Sequence, residues 1–507
     1  MSFWSSYPLR VSRGSRIGLR LIVACCGCLW SCGCRPQAPP EKNARAPLAG
    51  TELTLLVAGD EALAKSIALL RGQWEGETES KLRVESVSEQ ELAAQAARGE
   101  VSADAVIYAP RWLGTLAEGN AIRPLGAAML DDSELDWPDV FELLETREVR
   151  WGTDVFAVPL GSPVLLCFYR EDLLQALGRQ PPRTWQEYQD LAAALAEHGP
   201  GNPSGGEKVE ADKTGALDAW CGTIEPRGPG WAGVTLLARA AAYARHPNHY
   251  STLFNMVTME PLIASPPFVR ALEEMVAAAR LSKDGSPDAS PAGAWQALLN
   301  NRAGMALCWP AADERTDKGG EPGDAAEMPE LGCVEMPGSV EVFNATSGQW
   351  ERRPGDPVSV PLVGAAGHVG SIAAKSAHPE GAFRLLAWLA SRKWSDRALT
   401  ASADAAPFRH SQSTSPEAWS PGLQPGAARV YVATVGASLS AAECLVAPQL
   451  PGADRYLMAL DEAVRKALEN KVGPKESLEG AAEQFRAITK ELGLDRQRDA
   501  YQRSLGL

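Results

Sequence analysis

Trp151–Leu195 reads WGTDVFAVPLGSPVLLCFYREDLLQALGRQPPRTWQEYQDLAAAL, and this stretch decides the fold. An aromatic turn leads into Val158-Pro159-Leu160 and then into the apolar run Val164–Tyr169. Continuous apolar runs of this length suit strands buried on both faces, which points to a parallel sheet in an α/β protein. Asp172 is placed to cap a helix over Leu173–Leu177, Gly178 to end it, and Pro181-Pro182 to force an extended linker. Thr184 and Glu187 then form a Thr-x-x-Glu capping box that opens an Ala/Leu-rich helix.

Upstream of this segment, strands and helices alternate. Leu53–Ala58 reads as a strand, Ala62–Trp74 as a helix, Leu82–Val87 as an alternating strand, and Ala105–Ala109 as a third strand. Ser88 and Glu91 form a second capping box, opening a helix to Arg98. A short helix is expected over Arg111–Glu118, and Leu125–Glu148 reads as a Pro-punctuated helical stretch. This order implies a parallel sheet. Downstream, Gly199–Gly215 and Asp313–Glu330 read as polar loops, and Val234–Arg245, Pro267–Arg280 and Gly293–Asn300 as helices. Glu341–Arg353 reads as an added hairpin.

Several of these stretches carry a family pattern. Trp151-Gly152, Val158-Pro159, Tyr169-x-x-Asp172-Leu173 and Pro182-x-Thr184-Trp185-x-Glu187 follow one another in the central segment. Asn301–Pro310 is similar to a Gly-Lys-Ala-Ala-Met strand ending in a Pro/Trp turn, and Cys333–Pro337 to a returning strand. Gly370–Ser391 combines a Gly-rich turn, an Ile-x-x-x-Ser strand, a Pro-Glu cap and an amphipathic helix. Ala406-Pro407-Phe408-Arg409 and the helices Pro451–Ala467 and Ser477–Ile488 complete the series. Over residues 51–490 the chain resembles the bacterial extracellular solute-binding proteins of family 1, the maltose-binding-protein-like sugar-binding subunits of ABC importers. The resemblance implies an α/β fold of the periplasmic binding protein-like type II class, with two α/β lobes joined by hinge strands around a ligand cleft. Lobe 1 is expected over residues 51–160 plus 335–400, and lobe 2 over 161–334 plus 401–507.

The bulk properties agree with a folded soluble chain. At 507 residues, one ordinary core is not enough. Apolar and charged fractions of 45% and 22% exclude a disordered protein. The net charge is −14, and residues 1–31 carry four arginines and no acid, so the remainder carries −18. A field this acidic excludes nucleic acid or an anionic bilayer as a partner of the whole surface.

The N-terminus reads as an address. Arg10, Arg13, Arg16 and Arg20 precede the apolar stretch Leu21–Ser31, which is short for a membrane span. Leu29-Trp30-Ser31-Cys32 resembles a bacterial lipoprotein processing site, with Cys32 as the lipidated residue and Cys25 and Cys34 as competing positions. An ordinary cleaved signal peptide and a retained anchor are the alternatives, and all three place the protein outside the cytoplasm. Residues 32–50 read as a tether. Of the remaining cysteines, Cys167, Cys308 and Cys333 fall in apolar runs and read as core, and one disulfide involving Cys221 is left open.

Ligands of such sheets bind at the carboxyl ends of the strands. Asp60 and Glu61 follow the first strand, where the resemblance implies a carboxylate on a sugar hydroxyl; a helix cap needs the same residue. Sugars present apolar C–H faces that aromatic rings cover. Trp112, Trp151, Trp220 and Trp309 sit at strand ends or turns and are the expected ring candidates, whereas Trp74, Trp185, Trp295 and Trp388 read as core. His368, Arg409 and Tyr456 complete the expected ligand set by resemblance. No metal, cofactor or catalytic residue is expected. Gly228–Gly233 spells Gly-x-Gly-x-x-Gly but lacks a preceding Val/Ile strand and an acidic partner, and Pro247 breaks any helix that would align His246 with His249. The expected function is capture of a small solute, a sugar or oligosaccharide, for an ABC permease by a lipid-anchored monomer. A secreted carbohydrate-active enzyme using acids such as Glu225, and a binding protein repurposed as a sensor, are the alternatives.

Overall fold

A computed structural model describes residues 48–198, 220–281, 289–312 and 329–507. The expected signal, Cys32, most of the tether, the Gly199–Gly215 loop and all but the end of the Asp313–Glu330 loop lie outside the described residues.

Three strands, Glu52–Ala58, Lys81–Val87 and Ala105–Tyr108, run parallel with the first in the middle. The helices Glu61–Leu69 and Glu89–Arg98 provide the crossovers that parallel pairing requires. Ser88 caps the second of these by accepting from the Glu91 N–H at 3.1 Å. The sheet then takes in a strand from far along the chain. Val369–Ala373 lies antiparallel to Ala105–Tyr108 and pairs with Ile122–Arg123 and Val158–Pro159. The expected helix over Leu125–Glu148 is instead three short turns, Ala127–Leu130, Trp137–Asp139 and Leu144–Glu148. Pro138 supplies no N–H to a continuous helix, and the acidic turn at Asp131-Asp132 ends the first piece.

A second sheet has the order Leu331–Val334, Leu166–Arg170, Ala303–Cys308, Cys221–Ile224. The apolar run of the central segment is buried as expected, but Leu166–Arg170 is antiparallel to both neighbours. Only Ala303–Cys308 and Cys221–Ile224 pair in parallel. Burial on both faces dictates an apolar sequence; it does not dictate strand direction, which follows from where the chain enters the lobe. The following helix, Glu171–Leu177, starts at Glu171, so Asp172 is not its cap and pairs with Arg170 at 2.5 Å. Gly178 ends it in a left-handed conformation, and the Thr184/Glu187 box opens Trp185–Glu197 as expected. The hairpin forms between Glu341–Asn344 and Gln349–Arg352.

The two sheets define two α/β lobes, and the chain passes between them repeatedly. Val158–Pro159 belongs to the first sheet and Leu166–Arg170 to the second, so the first crossing lies between them. The return runs from Leu331–Val334 to Val369–Ala373. On the way Leu362–Val363 pairs in parallel with Leu445–Val446, a two-stranded joint between the lobes. The segment after Pro379–Ala390 stays on the first lobe: Arg409 bridges Val140, and the Trp419 Nε1–H donates to Asp396 at 2.9 Å. Helix Pro425–Leu439 then packs on Leu331–Val334. The four tryptophans read as core, Trp74, Trp185, Trp295 and Trp388, are all buried. Cys167, Cys308 and Cys333 on adjacent strands, and Cys444, are buried free thiols; Cys221 is buried at the start of its own strand.

Candidate functional site

The three parallel strands of the first lobe end along one edge, and the residues that follow them line a cavity of about 340 Å³. Gly59 and Asp60 follow Glu52–Ala58, Ser88 and Glu89 follow Lys81–Val87, and Ala109 and Arg111 follow Ala105–Tyr108. Gly367, His368 and Asp404 close another side, and Trp231 reaches in from the second lobe. Two glycines make the rim possible. Gly59 has φ +79°, and a Cβ there would lie 2.8 Å from Glu89 Cγ. Gly367 has φ +85°, and its Cβ would meet the Gly161 carbonyl at 2.1 Å. That turn is tied to the first crossing by His368 N–H to Gly161 O at 2.7 Å and Leu160 N–H to His368 O at 2.9 Å.

The polar groups form a linked set. Asp60 accepts from the Leu63 N–H at 2.8 Å through Oδ1, and its Oδ2 lies 3.3 Å from His368 Nε2. Asp60 therefore caps the first helix and lines the cavity with one side chain. Burial works to raise its pKa, but His368, the Leu63 N–H and Ser402 outweigh burial and hold it at about 2. Asp404 has the opposite balance: burial raises its pKa, Asp60 adds to this, and His368 opposes it. Glu89 and Arg111 form a half-buried ion pair beside them. The cavity is thus lined by three carboxyl-bearing residues, one guanidinium and one imidazole, with Trp231 of the second lobe among them.

Of the nine expected ligand residues, Asp60 and His368 line this cavity. Trp309 stands one ring behind it: its ring meets Trp231 edge-on at 5.5 Å, and its Nε1–H donates to the Ala403 carbonyl at 3.0 Å. The other six lie elsewhere, each for a physical reason. Glu61 points to solvent from the first helical turn and pairs with Lys65 at 2.9 Å. Trp112 is buried in the first-lobe core. Trp151 is buried, with Nε1–H donating to Glu118 at 2.9 Å, and Arg503 of the last helix pairs with the same carboxylate. Trp220 donates to the Leu195 carbonyl at 2.8 Å. Arg409 is fully buried, donates to the Asp136 carbonyl at 3.1 Å, and has its pKa lowered to about 10 by burial. Tyr456 packs on Phe254 and Phe485, with its hydroxyl 2.9 Å from Thr489 Oγ1.

Glu89, Arg111, Trp231 and Asp404 are the cavity residues that sequence reasoning missed. The strand-end rule that selected Asp60 selects Glu89 and Arg111 equally well, since each follows a strand of the same sheet. Asp404 carried no signal beyond lying just before the Ala406–Arg409 turn. Trp231 sits inside the Gly228–Gly233 decoy. The Gly230 and Gly233 N–H groups of that loop donate to Asp461, the latter at 2.6 Å, so a carboxylate of the chain itself occupies the place a phosphate would take. His246 lies 3.1 Å from Glu351, and His249 Nε2 is 3.2 Å from Thr346 Oγ1. Glu225, the acid singled out for an enzyme, is buried in a 2.6 Å ion pair with Arg239, whose guanidinium lies 4.0 Å from the Trp185 ring centroid.

Two α/β lobes, strands crossing between them, and polar strand ends facing an aromatic ring across a cleft define a type II periplasmic-binding-protein architecture. Residues 59–395 match the family described as bacterial extracellular solute-binding protein, and the chain belongs to that family. No curated protein matches the chain in sequence. Among solved structures it is similar to an ABC transporter solute-binding protein from Agrobacterium radiobacter K84 in complex with ribitol, at 18% identity, TM-score 0.62, over 87% of this chain and 100% of that one. It is also similar to the sugar-binding protein MalE from Xanthomonas citri, at 16% identity, TM-score 0.62, over 87% and 98%. Maltose-bound MalE3 from T. maritima resembles it at 16% identity, TM-score 0.60, over 87% and 100%. These likenesses establish the fold. Among the described residues no helix is long and apolar enough to cross a membrane.

Proposed function

We propose that the protein captures a polyhydroxylated solute, a sugar or polyol, between its lobes and delivers it to an ABC permease. The supporting observation is the convergence of Asp60, Glu89, Asp404, Arg111 and His368 on one cavity that faces Trp231 from the other lobe. Carboxylates accept hydrogen bonds from vicinal hydroxyls, the guanidinium and imidazole donate to others, and the indole covers an apolar sugar face. Solved relatives of the same fold hold ribitol and maltose. Contacts from both lobes form together only when the lobes are close, so ligand stabilises the closed arrangement. The hinge includes Pro159–Pro163 and the Leu362–Val363/Leu445–Val446 joint. In this reading lobe 1 comprises residues 51–160 and about 364–419, whereas the hairpin Glu341–Arg352, which packs on helix Ala232–Ala244, goes with the remainder in lobe 2. The receptor acts outside the cytoplasm as a monomer anchored through Cys32.

Calorimetry and thermal shift against mono-, di- and oligosaccharides, polyols, amino acids and polyamines test this reading. A sugar or polyol at 100 times its Kd stabilises the protein by about 2.7 kcal/mol and is recovered unchanged. A recovered product, or preference for a non-hydroxylated solute, overturns it.

A further inference from the structure

Trp231 is the cavity's ring from the second lobe, and it meets the Trp309 ring edge-on at 5.5 Å. The loop Gly228–Gly233 runs into helix Ala232–Ala244, and its N–H groups point away from the cavity, into the lobe. There they meet Asp461 on helix Ala453–Leu468, a buried carboxylate whose Oδ1 accepts from Gly233 and whose Oδ2 accepts from Gly230. The two bonded residues bracket Trp231. Gly230 holds φ +84°, so the chain turns sharply just before the indole, and the Trp231 N–H bonds to Gly228 O at 2.9 Å. Gly233 cannot be replaced without disturbing this contact, since a Cβ there would lie 2.8 Å from Leu460 Cβ and 3.0 Å from the Leu457 carbonyl. Two charge-assisted hydrogen bonds from one carboxylate fix a short loop far better than neutral ones.

We infer that Asp461 is a positioning residue for the ligand: it holds the loop Gly228–Gly233 so that Trp231 presents its ring to the cavity. The inference rests on the cavity being the ligand site as proposed above, and it adds a residue of the second lobe that never touches the solute. An Asp461→Asn amide accepts through one oxygen only and turns an NH₂ toward an N–H, so one of the two anchors is lost.

Two measurements on the full chain test this independently. In protein labelled with 5-fluorotryptophan, the ¹⁹F resonance absent from Trp231→Phe reports the Trp231 ring. It is expected to move by more than its linewidth in Asp461→Asn, while the resonances of the buried Trp74 and Trp388 stay in place. Gly230→Ala serves as the second variant, because its added methyl meets no atom within 4 Å yet strains the same turn. It is expected to shift the same resonance even if Asp461→Asn fails to fold. In titrations with the sugar or polyol found by the solute screen, Asp461→Asn weakens binding about tenfold in the wild-type background and less than about twofold in Trp231→Ala, the non-additivity expected of residues acting through one contact. A Trp231 resonance unmoved by both variants, or equal losses in the two backgrounds, overturns the positioning role. If no hydroxylated solute binds while the resonance still moves, the functional reading fails and the positioning of Trp231 stands.

Discussion

Asp60 joins two tasks that single-residue variants separate. Its Oδ1 caps the first helix and its Oδ2 faces His368 across the cavity. Asp60→Asn keeps an oxygen for the Leu63 N–H, so the helix loses only a few tenths of a kcal/mol. If the cavity takes the proposed polyhydroxylated solute, the same change removes a charge offered to its hydroxyls and is expected to cost about 1.5–3 kcal/mol in binding by calorimetry. Asp60→Ala loses both, adding about 1 kcal/mol in denaturant melts. Because its pKa is depressed from 3.8 to about 2, the wild-type carboxyl stabilises the fold fully above 3.8. That contribution is lost as pH falls towards 2, and melts of Asp60→Asn lack this acid-side loss. Next to it, Glu61 is exposed and paired with Lys65 alone, so Glu61→Gln is expected to leave affinity within about twofold and stability within about 0.5 kcal/mol.

At the scale of elements, local chemistry was legible and lateral placement was not. The Ser88 cap, without the return bond from Glu91 that a full box needs, the complete box at Thr184/Glu187, the left-handed Gly178 and the hairpin at Glu341–Arg353 are written in residues that act close by in the chain. Thr184→Ala, losing such a cap, is expected to cost about 1 kcal/mol in denaturant melts. Strand direction in the second sheet, the arrival of Val369–Ala373 in the first, and the approach of Asp404 and Trp231 to one cavity depend on partners more than a hundred residues away. No periodicity in the sequence carries them. The same holds for Tyr456 and Arg409, whose residue types fit a ligand site but whose surroundings are apolar core and a carbonyl. Glu225 gives the sharpest case. It looks like a cleft acid in sequence, yet it compensates the buried Arg239. Glu225→Ala leaves that buried guanidinium with only Glu274, at 3.8 Å, and is expected to destabilise by about 3–5 kcal/mol, read as a lower denaturation midpoint. An acid acting on substrate would instead alter binding or turnover with the midpoint unchanged.

For the whole molecule, the consequential group is Glu148, a fully buried carboxyl where the lobes join. Its Oε2 accepts from Ser162 on the first crossing at 2.5 Å, the Gly364 N–H on the second also bonds its carboxyl, and Gln449 donates to its backbone carbonyl at 3.1 Å. Its Oε1 has no partner, and the groups that bond its carboxyl are neutral. Burial outweighs the two hydrogen bonds and pushes its pKa up from 4.5 to about 8. The folded protein therefore binds this proton more tightly than the unfolded chain, so the contribution of Glu148 to stability is full below 4.5 and is lost as pH rises towards 8. Glu148→Gln cannot ionise and is expected to remove that slope, leaving the variant more stable than wild type at pH 9 by an amount on the order of 2–4 kcal/mol. Because the carboxylate sits between the crossings, the cheapest way to hydrate it is to part them. Ligand-free wild type is accordingly expected to show a larger radius of gyration by X-ray scattering at pH 9 than at pH 6, with Glu148→Gln unchanged. Equal radii in wild type at both values, or equal expansion of the variant, exclude a role for this proton in opening the hinge.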